Sequence, residues 1–94
     1  MQVDDFEWDD AKAAENHARH GVSFYAARLA FDDAFAVVRE DRRQNYGEDR
    51  FILLGMVEER LVAVAYTLRG DRIRIISARL AEPHERRRYH EENS

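Results

Sequence analysis

Two stretches with strand character, Leu61–Leu68 and Arg72–Ala78, constrain the fold more than any other part of the chain. Both are rich in β-branched and apolar residues, and a short turn containing Gly70 separates them. A pair of such runs joined by a turn of this length is typical of a β-hairpin. The sequence therefore predicts two adjacent antiparallel strands in the second half of the chain.

The second strand of this hairpin alternates between basic and apolar side chains. Ile73 and Ile75 share one parity, and Arg72 and Arg74 share the other. Because successive side chains of a strand point to opposite faces, the isoleucines are expected to face the core and the arginines to face solvent or a ligand. Arg79 has the parity of the isoleucines, but it lies at the end of the strand, where a bend can redirect it.

Further strands are predicted before the hairpin. Phe51–Val57 is apolar at both parities, which indicates a central strand covered on both faces. Phe35–Glu40 is a second candidate, and the polar segment Arg42–Asp49 forms the turn between the two. Phe6–Trp8 is a short strand or an anchoring segment. The two helices predicted in the first half of the chain can cover one face of the Phe51–Val57 strand, so another element must cover its second face.

The first helix is predicted from Asp10 to His20, with Asp9 as its N-cap and Gly21 as its left-handed stop. Its apolar face is thin and consists of Ala11, Ala14 and Ala18. One polar stripe, at positions i, i+4 and i+8, consists of Lys12, Asn16 and His20. Small alanines would permit close packing of this helix against a sheet or another helix.

Two more helices complete the predicted architecture. Ser23 caps a helix over Phe24–Phe31, and Pro83 fits the first turn of a terminal helix over His84–Glu92. The predicted fold class is α+β: two N-terminal helices, an antiparallel sheet of three to four strands and a C-terminal helix. Residues 1–94 contain no repeat or linker, which predicts one domain.

Composition narrows the classes of function. The formal net charge is −4, which argues against a protein that binds nucleic acid avidly and without specificity. The chain has no cysteine, so a disulfide framework and a thiolate nucleophile are excluded. No apolar run approaches the ~20 residues of a membrane span, and the acidic start does not resemble a signal peptide. A cytoplasmic location without membrane contact is expected.

Positive charge is concentrated in the segment Leu61–Tyr89, which contains seven arginines and three acidic residues. Fourteen of the fifteen basic residues of the chain are arginine, and Lys12 is the one lysine. A guanidinium group keeps its proton and presents a planar fork of donors that suits phosphate oxygens. The segment is therefore a candidate phosphate-binding surface. Its alternative interpretation is a solvated face with local ion pairs.

Several motifs, in this order along the chain, resemble those of the BrnT toxins of BrnT/BrnA type II toxin–antitoxin pairs. They are FEWD at Phe6–Asp9, the spaced Lys12, Asn16, His20 and Gly21 followed by VSF, FDD at Phe31–Asp33, YGE at Tyr46–Glu48, the strand motif Tyr66–Arg79 and ERRRY at Glu85–Tyr89. Each motif alone is weak, whereas their order over nearly the whole chain is specific.

The resemblance implies a RelE-like fold and a small ribonuclease that halts translation. It also implies a BrnA-type ribbon-helix-helix antitoxin as the partner, RNA as the substrate, and operator DNA that is contacted only through the antitoxin. No cofactor is implied. The histidine pairs His17 with His20 and His84 with His90 lack a third well-spaced ligand, so no metal site is predicted.

A metal-independent ribonuclease needs a proton acceptor, a proton donor and cations that stabilise the charge of the transition state. Arg72, Arg74 and Arg79 are the candidates for charge stabilisation. His20 is the candidate acid or base because the ordinary pKa of histidine lies near neutrality. Lys12 is a candidate for phosphate orientation. Alternatively, His20 serves the end of its helix and Lys12 forms ion pairs with nearby acids.

Four further residues are candidates for RNA binding. Tyr66 and Tyr89 are candidates for stacking on bases or for donating a proton, and Arg69 and Arg86 for contacts with phosphates. Packing in the core is the alternative for Tyr66. Glu48, which precedes Arg50 by two positions, is either a group that positions a base or a solvated turn acid.

Two other functions are compatible with the same sequence. The first is a noncatalytic binding module that docks a DNA-binding partner through its arginine-bearing face. The second is a protein that binds DNA directly, which the acidic net charge and the lack of a helix-turn-helix pattern disfavour.

Overall fold

A six-stranded mixed sheet frames the protein in a computed structural model that describes residues 1–94. The strands are β1 Gln2–Val3, β2 Phe6–Glu7, β3 Val37–Glu40, β4 Phe51–Val57, β5 Arg60–Arg69 and β6 Arg72–Leu80. Their order across the sheet is β1, β2, β6, β5, β4, β3. The helices are α1 Asp10–His20, α2 Phe24–Ala27 and α3 Pro83–Glu92, and a 3₁₀ helix over Arg28–Asp32 continues α2.

The α+β class and the antiparallel β3–β6 meander are confirmed. The predicted strand count of three to four and the purely antiparallel sheet are wrong. The short strands β1 and β2 extend the sheet, and β2 pairs in parallel with β6 through Phe6 opposite Ile73 and Glu7 opposite Arg74. Strands of two residues are too short to produce an alternating pattern, so the sequence did not predict this pairing.

The prediction that β4 is central and covered on both faces is confirmed. Leu53 lies in one apolar cluster, with Phe24 and Ala30 from the α2 side. Ile52 and Leu54 lie in the other cluster, with Tyr89 of α3. The terminal helix is thus the second cover that the apolar run of β4 requires.

A β-bulge in β6 changes which face its last residues occupy. Ser77 lies opposite Ala65, whereas Ile75 lies opposite the next residue, Tyr66, so Ile76 is an extra residue in β6. An extra residue reverses the alternation beyond it. Arg79 therefore shares the face of Arg74 and not that of Ile73 and Ile75, and the redirection considered for the end of this strand is produced by a bulge.

The bounds of α1 and both of its predicted caps are confirmed. The Asp9 side chain accepts a hydrogen bond from the Lys12 backbone N–H, and Gly21 adopts the left-handed conformation with φ of 72°. The predicted packing face is wrong, since Ala11, Ala14 and Ala18 are exposed and Asn16 is the buried residue of the helix. The reason is that α1 packs beside the open edge of β6, where polar backbone groups need polar partners.

The second helical segment also differs from its prediction. Ser23 is the N-cap as expected, but only one α-helical turn forms before the chain tightens into the 3₁₀ helix. This segment packs so closely on β4 that a Cβ at Gly55 would lie 2.4 Å from the Ala30 carbonyl oxygen. β3 begins at Val37, two residues after the expected Phe35. No helix of the structure is long and apolar enough to cross a membrane.

Candidate functional site

The site is built where α1 lies along the edge of β6, and Asn16 joins the two elements. Its Nδ2 donates to the Ala78 carbonyl oxygen at 2.8 Å and to the Val22 carbonyl oxygen at 3.1 Å. Its Oδ1 accepts from the Ala78 backbone N–H at 3.2 Å. The side chain thus replaces the neighbouring strand that β6 lacks at this point. The result is a fixed distance between one face of α1 and the bulge of β6.

The predicted polar stripe of α1 lines the resulting groove. We call the first part of this groove the helix cleft, a depression of about 260 Å³. Its lining residues are Lys12, Glu15, Asn16, Arg19, His20, Ile76 and Ser77. The bulge residue Ile76 is its one apolar side chain. Lys12 and His20 are therefore brought to one surface, as the spacing of the stripe predicts.

A second depression adjoins the first, and we call it the arginine cleft, with a volume of about 120 Å³. Its lining residues are Asp9, Lys12, Glu48, Arg50, Arg69, Arg74, Ile75 and Ile76. Lys12 and Ile76 belong to both clefts, so the two form one groove. Four cationic and two anionic side chains line the arginine cleft, a formal local charge of +2 in a chain whose net charge is −4.

Acidic residues hold the arginines of this cleft in place. Arg74 Nη1 donates to Glu7 Oε2 at 2.8 Å, a contact that the parallel pairing of β2 with β6 makes possible. Arg50 Nε donates to Glu48 Oε2 at 3.2 Å, and Arg69 Nη2 lies 3.8 Å from Glu48 Oε1. Since each guanidinium has five N–H donors, these contacts orient the groups and leave donors for a ligand.

Buried Asp41 anchors the loop that carries Glu48 and Arg50 into the cleft. Its carboxylate accepts hydrogen bonds from Arg43 Nε and Nη2, both at 2.9 Å, and from the Tyr46 hydroxyl at 3.1 Å. Chiefly through the bonds from Arg43, the pKa of Asp41 is lowered to about 2. The Arg50 guanidinium in turn stacks over the Tyr46 ring at 4.0 Å. These contacts stabilise the loop in the conformation that places Glu48 and Arg50 at the cleft.

The other arginines of the sequence-based site lie elsewhere. Arg72 Nη1 donates to the Asp4 carbonyl oxygen in the turn between β1 and β2. Arg79 pairs with Glu85 and Glu82 at the start of α3. Arg86 is exposed on α3. None of the three lines either cleft.

Both candidate tyrosines are buried, so their rings are covered by protein. Tyr66 is 9% exposed and packs edge-on against Phe31, and burial raises its pKa. Tyr89 is 7% exposed, and its hydroxyl donates to Asp33 Oδ2 at 2.7 Å. Burial and then this bond to Asp33 raise the pKa of Tyr89 to about 12. These contacts support the core-packing alternative for Tyr66, and they indicate a packing role for Tyr89 as well.

The sequence did not identify Asn16, Arg50 and Ile76 as site residues. Asn16 carried a signal, because it lies in the polar stripe between Lys12 and His20. Ile76 carried none, since a bulge has no pattern of its own in an apolar strand. Arg50 could not be identified from the sequence, because its place in the site depends on where the 41–50 loop packs against the sheet.

One group of side chains has the spacing of metal ligands, Glu82, His84 and Glu85, whose ligand atoms lie within 4.8 Å of one another. Arg79 already binds both carboxylate oxygens of Glu85. A metal ion would have to displace this guanidinium, so the residues fit such an ion poorly. The group also lies outside both clefts.

Comparison with known proteins agrees with the motifs. No curated protein matches the chain. A family model described as the ribonuclease toxin BrnT of type II toxin–antitoxin systems matches residues 8–85, which include α1, the 41–50 loop and the whole of β6. With most of its length covered by this model, the chain belongs to the BrnT family of ribonuclease toxins.

Proposed function

We propose that this protein is a metal-independent RNA endonuclease that inhibits translation, and that the arginine cleft binds the phosphate at which RNA is cut. The observation that carries the proposal is the convergence of Lys12, Arg50, Arg69 and Arg74 on one cleft in a member of a ribonuclease toxin family. The lining residues carry a formal charge of +2, which is +1 when the Glu7 carboxylate bound to Arg74 is included, so the cleft attracts a phosphodiester although the whole chain is acidic.

The proposed chemistry is attack of the 2′-hydroxyl on the adjacent phosphorus, which leaves a 2′,3′-cyclic phosphate. Its transition state carries extra negative charge on the phosphoryl oxygens, and fixed cations stabilise this charge without reorganisation. Arg74 meets this requirement because it lies on a strand and Glu7 holds its guanidinium. Lys12 lines the same cleft from α1, and we propose that the two cations contact different oxygens of one phosphate.

His20 lines the helix cleft, whereas Arg50, Arg69 and Arg74 line the arginine cleft. It follows Lys12 by eight residues on the same helix face, which corresponds to about 12 Å along the axis. We propose that His20 and the helix cleft contact the nucleotide next to the scissile phosphate. Shared lining by Lys12 and Ile76 supports a continuous path for a single strand across both clefts.

The contacts of the other candidates support structural roles. Arg79 and Tyr89 stabilise α3 and its attachment, and Tyr66 belongs to the core. Arg72 orders the N-terminal hairpin through Asp4. We propose that Arg86 contributes at most a peripheral contact with RNA, because it lies on α3, outside the groove.

The family implies an antitoxin partner for this toxin. We propose a BrnA-type ribbon-helix-helix protein, which neutralises the toxin and through which alone the pair contacts operator DNA. We further propose that residues 1–94 act as one domain of RelE-like fold in the cytoplasm. The second candidate function, a noncatalytic module that docks the DNA-binding partner, makes the opposite prediction about RNA.

The test is cleavage of a labelled RNA by the purified, antitoxin-free protein in the presence of EDTA, with analysis of the product ends. Products that end in 2′,3′-cyclic phosphate support the proposal. Cleavage that EDTA abolishes contradicts metal independence. If free RNA is not cut, the assay is repeated with translating ribosomes. Lack of cleavage there as well contradicts the nuclease and favours the docking module.

A further inference from the structure

The arginine cleft needs a proton acceptor, and its cations cannot serve as one. Arginine keeps its proton at any working pH, and Lys12 is exposed on α1, so it lacks the burial by which a lysine becomes a general base. Among the lining residues only the carboxylates of Asp9 and Glu48 can accept a proton from a 2′-hydroxyl. The choice of base for the reaction proposed above therefore falls between these two groups.

Asp9 is the N-cap of α1. Its Oδ1 accepts the Lys12 backbone N–H at 3.0 Å, and this bond, with burial in opposition, lowers its pKa. Protonation of Asp9 during a reaction would weaken the cap of the helix that carries Lys12. Asp9 is therefore a poor choice for the proton acceptor.

His20 is too distant for the same task. A general base must approach the proton that it abstracts to hydrogen-bond distance, about 2.6–3.2 Å between heavy atoms or one water further. His20 lies about 12 Å beyond Lys12 along the axis of α1. It lines the helix cleft and is absent from the lining of the arginine cleft.

Glu48 has the position and the support that the role requires. Its side chain is 31% exposed, so a hydroxyl group can reach it. Arg50 and Arg69 flank its two oxygens at 3.2 and 3.8 Å and orient the carboxylate. Its backbone is anchored as well, because the buried Thr67 hydroxyl donates to the carbonyl oxygen of the next residue, Asp49, at 2.6 Å.

We propose that Glu48 is the catalytic residue that accepts the proton of the attacking 2′-hydroxyl, an inference that rests on the proposed nuclease function. The 2′-oxygen forms a bond to phosphorus as its proton passes to the Glu48 carboxylate. The bond between phosphorus and the 5′-oxygen breaks, and the 5′-oxygen leaves with the electron pair and takes a proton from water. Glu48 then releases its proton to solvent, which restores the carboxylate.

The test compares Glu48→Gln with the wild type in single-turnover cleavage of RNA, with ribosomes if these are needed. Glutamine keeps the size and a hydrogen-bonding oxygen but cannot accept the proton. A general base contributes about 10²–10⁴-fold in rate, so we expect a loss of at least about a hundredfold. Glu59→Gln is the matched control, because it removes the same charge at an exposed position in the turn between β4 and β5.

A second measurement separates a base from a residue that only orders arginines. Binding of an RNA with a 2′-deoxy residue at the cleavage position is compared in the two proteins. We expect Glu48→Gln to bind this RNA as tightly as the wild type or up to about tenfold more tightly, because one negative charge near the phosphate is lost.

Two results would overturn the inference. They are cleavage by Glu48→Gln within about tenfold of the wild type, and a loss of RNA binding as large as the loss of rate. Each leaves the proposed function intact as long as the wild type and Glu59→Gln cleave RNA. Absence of cleavage by the wild type itself would contradict the proposed function, and the assignment of Glu48 as its base would fall with it.

Discussion

Arg79 and Glu85 form a two-pronged ion pair that joins the end of β6 to the first turn of α3. Arg79 Nη1 lies 2.7 Å from Glu85 Oε1, and Nη2 lies 3.2 Å from Oε2. The Glu85 side chain is 2% exposed, and its Oε1 also accepts the backbone N–H of Glu82. Burial opposes ionisation of Glu85, but the Arg79 guanidinium and the Glu82 backbone N–H together outweigh it, and the pKa of Glu85 is lowered. The bulge at Ile76 turns Arg79 towards α3, and the ion pair then attaches the start of this helix to the end of β6.

Replacement of Arg79 by methionine is expected to destabilise the protein by about 3 kcal/mol, because it leaves a buried carboxylate without its cation. Urea denaturation at neutral pH measures the change. Arg86→Met is the control, since it removes an exposed arginine from α3, the helix that the Arg79 ion pair anchors. The double variant Arg79→Met with Glu85→Met should recover much of the loss. Equal stability of Arg79→Met and Arg86→Met would contradict the role of this ion pair.

Replacement of Arg74 by alanine is expected to abolish growth arrest, since loss of one such donor lowers the rate by about a hundredfold or more. Affinity for the antitoxin should stay within about tenfold of the wild type. Growth after induction and a binding assay measure the two effects. Arg60→Ala serves as the control, because Arg60 is exposed at the opposite end of β5. Undiminished arrest by Arg74→Ala would place the site elsewhere.

Replacement of Asn16 by alanine is expected to destabilise the protein by about 2 kcal/mol, since buried backbone groups of Ala78 and Val22 lose their partner. Thermal or urea denaturation measures the change. Asn45→Ala is the matched control, because Asn45 bonds only within its exposed turn. A loss in Asn16→Ala no larger than in this control would show that α1 does not depend on the contact.

Removal of the Tyr89 hydroxyl distinguishes a structural tyrosine from a proton donor. Tyr89→Phe leaves Asp33 without one of its bonds and should cost about 1.5 kcal/mol of stability. RNA cleavage below the melting temperature should remain within about threefold of the wild type. A large loss of rate in a folded Tyr89→Phe protein would instead identify Tyr89 as a participant in the chemistry.

The Asp41–Arg43 pair predicts a dependence of stability on pH. The pKa of Asp41 is lowered from 3.8 to about 2 by folding, so its contribution is present above about pH 4 and is lost as the pH falls towards 2. The exposed Arg43 is screened by solvent, so we expect a contribution of about 1 kcal/mol. Urea denaturation from pH 6 to pH 2 should show a smaller decline for Asp41→Asn than for the wild type. Parallel declines would contradict the assignment.

Most helices and strands could be predicted from the sequence because their signals are local. The caps Asp9 and Gly21 defined the bounds of α1, and the doubly apolar run of β4 indicated a strand with two covers. The same local reasoning failed for the packing face of α1. An amphipathic pattern assumes an apolar neighbour, whereas Asn16 meets the open backbone edge of β6.

Local patterns also predicted only part of the candidate site. The stripe of Lys12 and His20 follows from helical periodicity, and Arg74 follows from strand alternation. Separating Arg74 from Arg72 and Arg79 required the positions of their partners on other segments: the Glu7 and Glu85 carboxylates for Arg74 and Arg79, and the Asp4 carbonyl oxygen for Arg72.

The sequence by itself determined the type and order of the elements, the concentration of arginine and the family motifs, because each depends on neighbouring residues or on composition. Only the tertiary structure decided which side chains share a cleft. The bulge at Ile76, the parallel pairing of β2 with β6 and the return of Glu48 to α1 bring together residues far apart in the chain. The packing of the whole sheet selects such contacts, and no local pattern encodes them.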